Sequence, residues 1–279
     1  MDSYDVPSGS YAVRIIADSI QAVASASNIV GNRLTTFQLT YPRFIHPEFL
    51  THRMISRNSQ SSRAMPTSKI IEQVAQHPVM PVEWGKNCKG MVANGLISEM
   101  EAAQEIWLGA SQSAIQSALL LQGLGVHKQV VNRLLEPYST ITTIATATDW
   151  LDFFRLRCAE DAQPEIRHLA LAMSEQYYEH EPTLLGPSGW HLPYIPFEEM
   201  GDKTFSNDTL ARVSTARCAR VSLLNHLGTR DIDKDLKLCD MLEADRHMSP
   251  FEHAAMALYT DERVANFSGF RSYRSMLGA

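Results

Sequence analysis

A chain of 279 residues with 44% hydrophobic and 20% charged content is long and apolar enough to bury a sizeable core, as one large domain or two small ones. Its formal charge of −6 and pI near 5.9 exclude a general nucleic-acid or membrane-surface binder, while leaving room for a local basic pocket around one small anion. The opening Met1-Asp-Ser-Tyr-Asp-Val-Pro7 lacks the basic-then-apolar pattern of a signal peptide, and the longest apolar run, around Ala118-Leu-Leu-Leu121, is too short to span a bilayer, so a cytoplasmic protein is expected.

In chain order, Tyr11 to Ala17 reads as a strand, and the alternation of Thr35, Phe37, Leu39 and Tyr41 with Thr36, Gln38 and Thr40 reads as a second. Pro42 and Pro47 restrict the start of a helix that carries Phe44, Ile45, Phe49 and Leu50. It runs into a polar stretch, Thr51 to Arg63, which reads as a helix end and loop in which arginines, hydroxyls and free backbone N–H groups converge. Residues 75–96, with Pro78, Pro81, Gly85, Gly90 and Gly95, are irregular.

Ser98 with Glu101 has the spacing of a capping box opening a helix to about Gln122, whose Ile106, Leu108, Ala110, Ile115, Leu119 and Leu120 predict a core helix stopped by Gly123 and Gly125. His127 to Leu135 is a short helix, and its Arg133 is expected to reach solvent. Thr140 to Thr148 is strand or extended loop. Asp149 caps a helix from Trp150 to Cys158, and Pro164 opens another to about His180 with Ile166, Leu169, Ala170 and Met173 inward.

Residues 181–206 are loop-rich, with Pro182, Pro187, Pro193 and Pro196, and form the best internal boundary. Beyond it, Asp208 to Ser222 and Asp231 to Arg246 are helical, and Ala254 to Tyr259 alternates as a strand. Helices dominate, with a few strands, so the whole is an α+β chain. Cys88, Cys158, Cys218 and Cys239 lack metal-ligand spacing and do not make a disulfide scaffold.

Within the polar stretch, His52-Arg53-x-x-Ser56-x-Asn58-x-x-Ser61-x-Arg63 resembles the Arg-His-Arg-x-x-Ser-x-Asn-x-x-Ser-x-Arg signature of flavin-dependent thymidylate synthases, with Thr51 in place of the first Arg. Four further segments resemble that family: Ala219-Arg-Val-Ser222, His247-Met-Ser-Pro-Phe-Glu-His253, Arg133 ahead of Glu136-Pro137, and Arg157 ahead of Ala162-Gln-Pro-Glu-Ile166. In the family the first two precede the His-Arg motif, whereas here they follow residue 210, so the chain reads as a circular permutation. The strand and helix before His52 are echoed after His253, ending in a degraded Arg271-Ser-Tyr-Arg-Ser275.

The resemblance implies the α+β fold of that family, helices packed on a small, mostly antiparallel sheet, as a single domain over 1–279 with the His-Arg motif in the 1–180 half and the Ser-Pro-Phe-Glu-His turn in the 207–279 half. It also implies methylene transfer from methylenetetrahydrofolate to C5 of dUMP, followed by hydride reduction from FAD that NADPH reloads. By the same resemblance, His52, Arg53, Ser56, Asn58, Ser222, His247, Ser249 and Glu252 would hold cofactor. Glu48, Ser61, Arg63, Arg133 and Arg157 would hold the nucleotide, with Arg157 the catalytic group on the pyrimidine edge. The partners implied are a deoxypyrimidine monophosphate, folate and further copies of the chain, as a tetramer, or as a dimer if the internal repeat substitutes. No metal, nucleic acid or membrane is implied.

A guanidinium against the O2/N3 edge stabilises charge as the ring is activated, and with flavin no protein nucleophile is required, in keeping with the lack of a cysteine in a nucleophile context. The departures bear on function. Thr51 lacks a charge, Ser59 stands for a Glu, Ser62 for a Gly and Ala64 for a Tyr, and Glu48 stands where a Gln is expected. These leave open hydroxymethylation of dUMP or dCMP, methylation of dCMP, or an inactive nucleotide-binding descendant.

Overall fold

The computed structural model describes residues 10–22, 31–223 and 231–278. Five strands form the main sheet: β1 (Ala12–Gln21), β2 (Arg33–Pro42), β3 (Ser56–Ser59), β4 (Thr140–Ala147) and β5 (Thr183–Leu185), in the order β3-β4-β2-β1-β5. Every neighbouring pair is antiparallel except β1 and β5. The Thr- and Ile-rich stretch after Ser139 thus takes the strand alternative, because β-branched residues fit the pleated surface between β2 and the edge strand β3.

Two layers cover the sheet. On one face Phe37, Leu39 and Tyr41 of β2 meet α5 (Trp150–Arg157) and α6 (Pro164–Glu179), with Trp150, Phe153, Ile166, Leu169 and Met173 in one apolar cluster. The alternation of β2 dictates this, since residues two apart share a face. Burying each of these large side chains contributes about 1.5–3 kcal/mol.

The other face is unusually polar. Ser19 Oγ lies 2.9 Å from His191 Nδ1, whose Nε2 is 2.7 Å from Thr36 Oγ1. Thr36 Oγ1 and Thr146 Oγ1 are 2.8 Å apart, and Thr146 Oγ1 is 2.8 Å from His253 Nδ1. This buried chain of side chains fastens a second sheet onto the first: β6 (Trp190–His191), β7 (Ala255–Ala257) and β10 (Phe270–Ser272), in the order β10-β7-β6. The hairpin β8 (Arg263–Val264) and β9 (Phe267–Ser268) flanks it.

The proline-rich segment 181–206 is therefore not bare loop, because it supplies β5 to the main sheet, β6 to the second and the short α7 (Phe197–Gly201). Beyond it, α8 (Asn207–Ala219) and α9 (Ile232–Ala244) pack through Leu210, Val213, Ala216, Cys239 and Phe251, and α10 (Tyr273–Met276) closes that cluster through Tyr273. An ion network pins the two helices: Asp235 accepts from Arg217 Nε at 3.0 Å and from Arg220 Nε at 2.9 Å, and Arg217 also pairs with Glu199. Arg220 of the Ala-Arg-Val-Ser segment is thereby used structurally.

The remaining helices are α1 (His46–Leu50), α2 (Thr67–Gln76), α3 (Met100–Gly123) and α4 (Lys128–Val131). The core-helix expectation for α3 holds only at Ile115, which packs against the cluster of Ile70, Val74, Ala118, Val131 and Leu135. Ile106 is 74% and Leu120 71% exposed, and the stripe that does pack runs through Trp107, Ser111, Ala114, Ala118 and Leu121. Apolar residues surround this helix, so hydrophobic periodicity alone does not select its inner face. Its start also differs: Glu99 is the N-cap, with no side-chain cap bond, and the Ser98 hydroxyl donates to Glu99 instead of capping the backbone. Its end is as expected, with Gly125 at φ +78° while Val126 N–H reaches Leu121 O.

Asp149 occupies the N-cap of α5 without a cap bond, because its carboxylate pairs with Arg263. The strand expected over Ala254–Tyr259 contracts to the three residues of β7. Among the described residues no helix is long and apolar enough to cross a membrane.

Candidate active site along the edge strand

The polar stretch after α1 is only partly loop. Residues Ser56–Ser59 pair with Thr146–Thr143 as β3, so one side of their backbone serves the sheet and the other side, at the sheet edge, is paired with no strand among the described residues. Alternation explains it: Ser56 and Asn58 are buried, while Arg57 and Ser59 are half-buried. Arg57 Nη1 staples the preceding turn by donating to the carbonyls of His52 and Ile55, both at 2.8 Å.

At the start of β3, the His52 ring packs edge-on against Phe153, with centroids 4.8 Å apart, and its Nε2 accepts from Arg157 Nε at 2.8 Å. These residues are 105 positions apart in sequence. Burial, and then the charges of Arg157 and Arg57, hold the His52 pKa down to about 4. The ring is therefore neutral at physiological pH and free to accept from a guanidinium. Arg157 Nη2 also donates to Thr51 Oγ1 at 3.3 Å, and Thr51 Oγ1 donates to the Glu48 carbonyl at 2.6 Å. Glu48 Oε2 is buried without a hydrogen-bond partner.

Past the end of β3, Arg63 and Arg133 line one open cleft of about 570 Å³ together with Leu121, Gln129, Val130 and Leu134. Arg133 is 58% exposed, as expected, and pairs with Glu136 at 3.0 Å. Ser61 is half-buried beside this end, whereas Arg53 is exposed at the other.

A third cluster joins β3 to the C-terminal part. Asn58 Nδ2 donates to the Cys218 carbonyl at 3.0 Å, and its Oδ1 accepts from Ser249 Oγ at 3.4 Å. Ser56 Oγ accepts from Asn266 Nδ2 at 3.1 Å, and Arg274 pairs with Glu252 at 2.5 Å. Ser56 and Glu252 share a polar cavity of about 270 Å³ with Asn266, Ser272, Arg274 and Ser275.

His247 is exposed just past α9, where Arg246 takes the left-handed turn at φ +57°. Neither Ser249 nor Glu252 caps the Ser249–Glu252 turn, whose N-cap is Met248. Ser222 falls in a 3-10 turn, and its side chain lies outside the described residues.

The fold thus pairs His52 with Arg157, Ser56 with Glu252, Asn58 with Ser249, and Arg63 with Arg133. Arg57, Asn266 and Arg274 were not singled out by sequence. Arg57 stands at a variable position of the motif, and the other two sit near the C-terminal end of the described residues, where only tertiary structure brings them to β3.

Fold and site together define an α+β protein whose edge strand collects arginines, hydroxyls and amides from segments far apart in sequence. The thymidylate synthase complementing protein family matches residues 32–183, more than half of the chain, and the chain belongs to that family. The matched span runs from β2 through α6 and leaves α8, α9 and the second sheet outside it. A protein from Synechocystis sp. described as flavin-dependent thymidylate synthase is 24% identical over 164 residues, covering 56% of this chain and 71% of that protein. Among solved structures, a UMP/dUMP methylase, PolB, from Streptomyces cacaoi, bound with 5-Br dUMP, is 17% identical with a TM-score of 0.48 over 61% of this chain and 90% of that one.

Proposed function

We propose that this protein is a methyltransferase that moves a one-carbon unit from methylenetetrahydrofolate to C5 of a deoxypyrimidine monophosphate, dUMP to dTMP, with flavin and NADPH. Family membership supports the reaction class. The observation that carries the assignment to residues is the Arg157–His52 contact, which unites two separate motif segments. Bound flavin would supply the hydride, and the polar cavity shared by Ser56 and Glu252 supports its binding here. His52, Arg53, His247 and Ser249 are the further cofactor contacts. Asn58 acts from behind, since both ends of its amide are engaged.

With Nε committed to neutral His52, the terminal nitrogens of Arg157 point the remaining N–H groups at the pyrimidine edge and stabilise the charge that develops there. Arg63 and Arg133 take the phosphate, assisted by Ser61; the guanidinium fork suits that anion. The two groups stand at opposite ends of a four-residue strand, roughly 13 Å long at 3.3 Å per residue. In a tetramer or dimer, a nucleotide bound between copies would take its ring contacts from one copy of the chain and its phosphate contacts from another. The exposed Leu120 and Leu124, next to Leu121 of the cleft, support such packing.

A second reading is favoured by one atom. Glu48 Oε2 is buried and unpartnered, and an amino group of a cytosine ring would satisfy it. The experiment is a visible spectrum of protein incubated with FAD and desalted. Turnover of dUMP and of dCMP with methylenetetrahydrofolate and NADPH follows, with products identified by mass. Retained flavin with dTMP supports the first reading, and a methylated cytidylate the second. A hydroxymethyl product identifies the sibling reaction, and nucleotide binding without product identifies an inactive descendant.

A further inference from the structure

We infer that Asn132 is a positioning residue for the phosphate contacts: its buried amide fastens the turn that carries Ser61 and Arg63 to the turn that carries Arg133, and so sets the two guanidiniums across one cleft. The inference rests on the reading above that Arg63 and Arg133 take the phosphate. Asn132 belongs to none of the motif segments singled out by sequence.

Asn132 is fully buried, and its neighbours Val131 and Leu135 belong to an apolar cluster. A polar side chain in such a place is costly unless hydrogen-bonded. Its Oδ1 accepts from Thr67 Oγ1 at 2.8 Å, and its Nδ2 donates to the carbonyls of Ser62 at 2.7 Å and Met65 at 3.1 Å. Carbonyls can only accept, so the amino end must face them and the sense of the amide is fixed. Leucine would fill the same space and leave the turn unfastened.

The two carbonyls bracket Arg63. The turn between them closes through Ala64 N–H to the Ser61 carbonyl at 3.0 Å, and Lys128 Nζ of α4 donates to the Ala64 carbonyl at 3.0 Å. Arg63 is exposed here and lies outside any helix or strand, so the direction of its side chain depends on how this backbone is held. Asn132 also opens the Asn132–Tyr138 turn and directly precedes Arg133. Further along that turn, Glu136 takes Arg133 at 3.0 Å and Arg43 at 3.2 Å. One short segment therefore holds Arg63 through its backbone and Arg133 through its guanidinium. Two guanidiniums share an anion only while their spacing is kept, and that spacing is what the amide controls.

The test titrates dUMP and dCMP into the full-length chain calorimetrically and follows the tighter ligand through a double-mutant cycle, with thermal unfolding of each variant as the folding control. Arg63→Ala alone should weaken binding about tenfold or more. Asn132→Ala should weaken it about fivefold, and in that background Arg63→Ala should cost less than about threefold further. This loss of coupling is the signature of positioning, because a merely structural role gives additive effects. Asn132→Ser, which keeps one uncharged donor, should fall between wild type and Asn132→Ala, and it carries the same cycle if the alanine variant does not fold. Folded Asn132 variants that bind as wild type does overturn the inference and leave the phosphate reading intact. So does an Arg63→Ala effect that is undiminished in the Asn132 background. An Arg63→Ala variant that binds as wild type does, or a wild type that binds neither nucleotide, overturns the phosphate reading and the inference with it.

Discussion

Asp235→Asn tests whether the buried ion network is what holds α8 against α9. The carboxylate is fully buried and receives Arg217 Nε at 3.0 Å, Arg220 Nε at 2.9 Å and Arg220 Nη2 at 2.7 Å. Asparagine keeps the shape but removes the charge and turns an amino group toward one guanidinium. Removing one partner of a buried pair costs about 3–5 kcal/mol, because the remaining charge is stranded. Glu199 still neutralises Arg217, so the low end, about 3 kcal/mol, applies.

At roughly 2–4 °C per kcal/mol for a chain of this size, Tm should fall by about 6–12 °C in a thermal melt followed by circular dichroism. Asp240→Asn is the control: its partner Arg212 is near the surface and the Asp240 side chain is 62% exposed, so a loss under about 1 kcal/mol is expected. Equal Tm values for the two variants would refute the reasoning. The network matters to the site because α8 carries the Cys218 carbonyl that receives Asn58, so a loosened α8 releases the edge strand.

Three further outcomes are expected. Arg157→Lys keeps the charge but loses the fork that serves His52 and the ring together, and kcat should drop about 10²-fold; a change under threefold removes Arg157 from catalysis. Glu48→Gln should raise the ratio of kcat/KM for dUMP over that for dCMP, and an unchanged ratio shows that Glu48 does not read the base. Acid should destabilise the fold through its two buried histidines. Burial depresses His191 to about 4, against a small opposing effect of Asp18, and His253 to about 3, from 6.5.

Their contribution is fully present above pH 6.5 and is lost as pH falls toward 4, since only the unfolded chain takes up the protons. At about 1.4 kcal/mol per unit for each group, the loss by pH 5 is on the order of 4 kcal/mol. Denaturant unfolding at pH 7 and pH 5 measures it, and a His253→Asn variant should show a shallower slope than wild type. A wild-type stability that is flat over this range contradicts the neutral, buried assignment.

Much of the site was legible because its chemistry is local. Helix α1 ends in a run too polar to bury, and the spacing from His52 to Arg63 marks a functional element before any fold is known. Helix α6 was equally plain, since Ile166, Leu169, Ala170 and Met173 recur at helical spacing and are all fully buried. Helix α3 was not, because its apolar residues lie on every side and the packed stripe depends on where α2 and the Asn132–Tyr138 turn happen to lie. The polar face of the main sheet was also hidden, since Thr36, Thr146, His191 and His253 look like surface residues one at a time.

The sequence by itself determined the α+β class, the position of most helices and strands, and the residue types of the candidate site, because periodicity, proline placement and motif spacing act over a few turns of chain. Only the tertiary structure decided which of those residues meet. Arg157 lies 105 positions from His52, Ser249 lies 191 from Asn58, and Asn266 lies 210 from Ser56. Contacts at such separations are set by how the layers stack on the sheet, and that stacking is chosen by the whole buried surface and not by any local pattern.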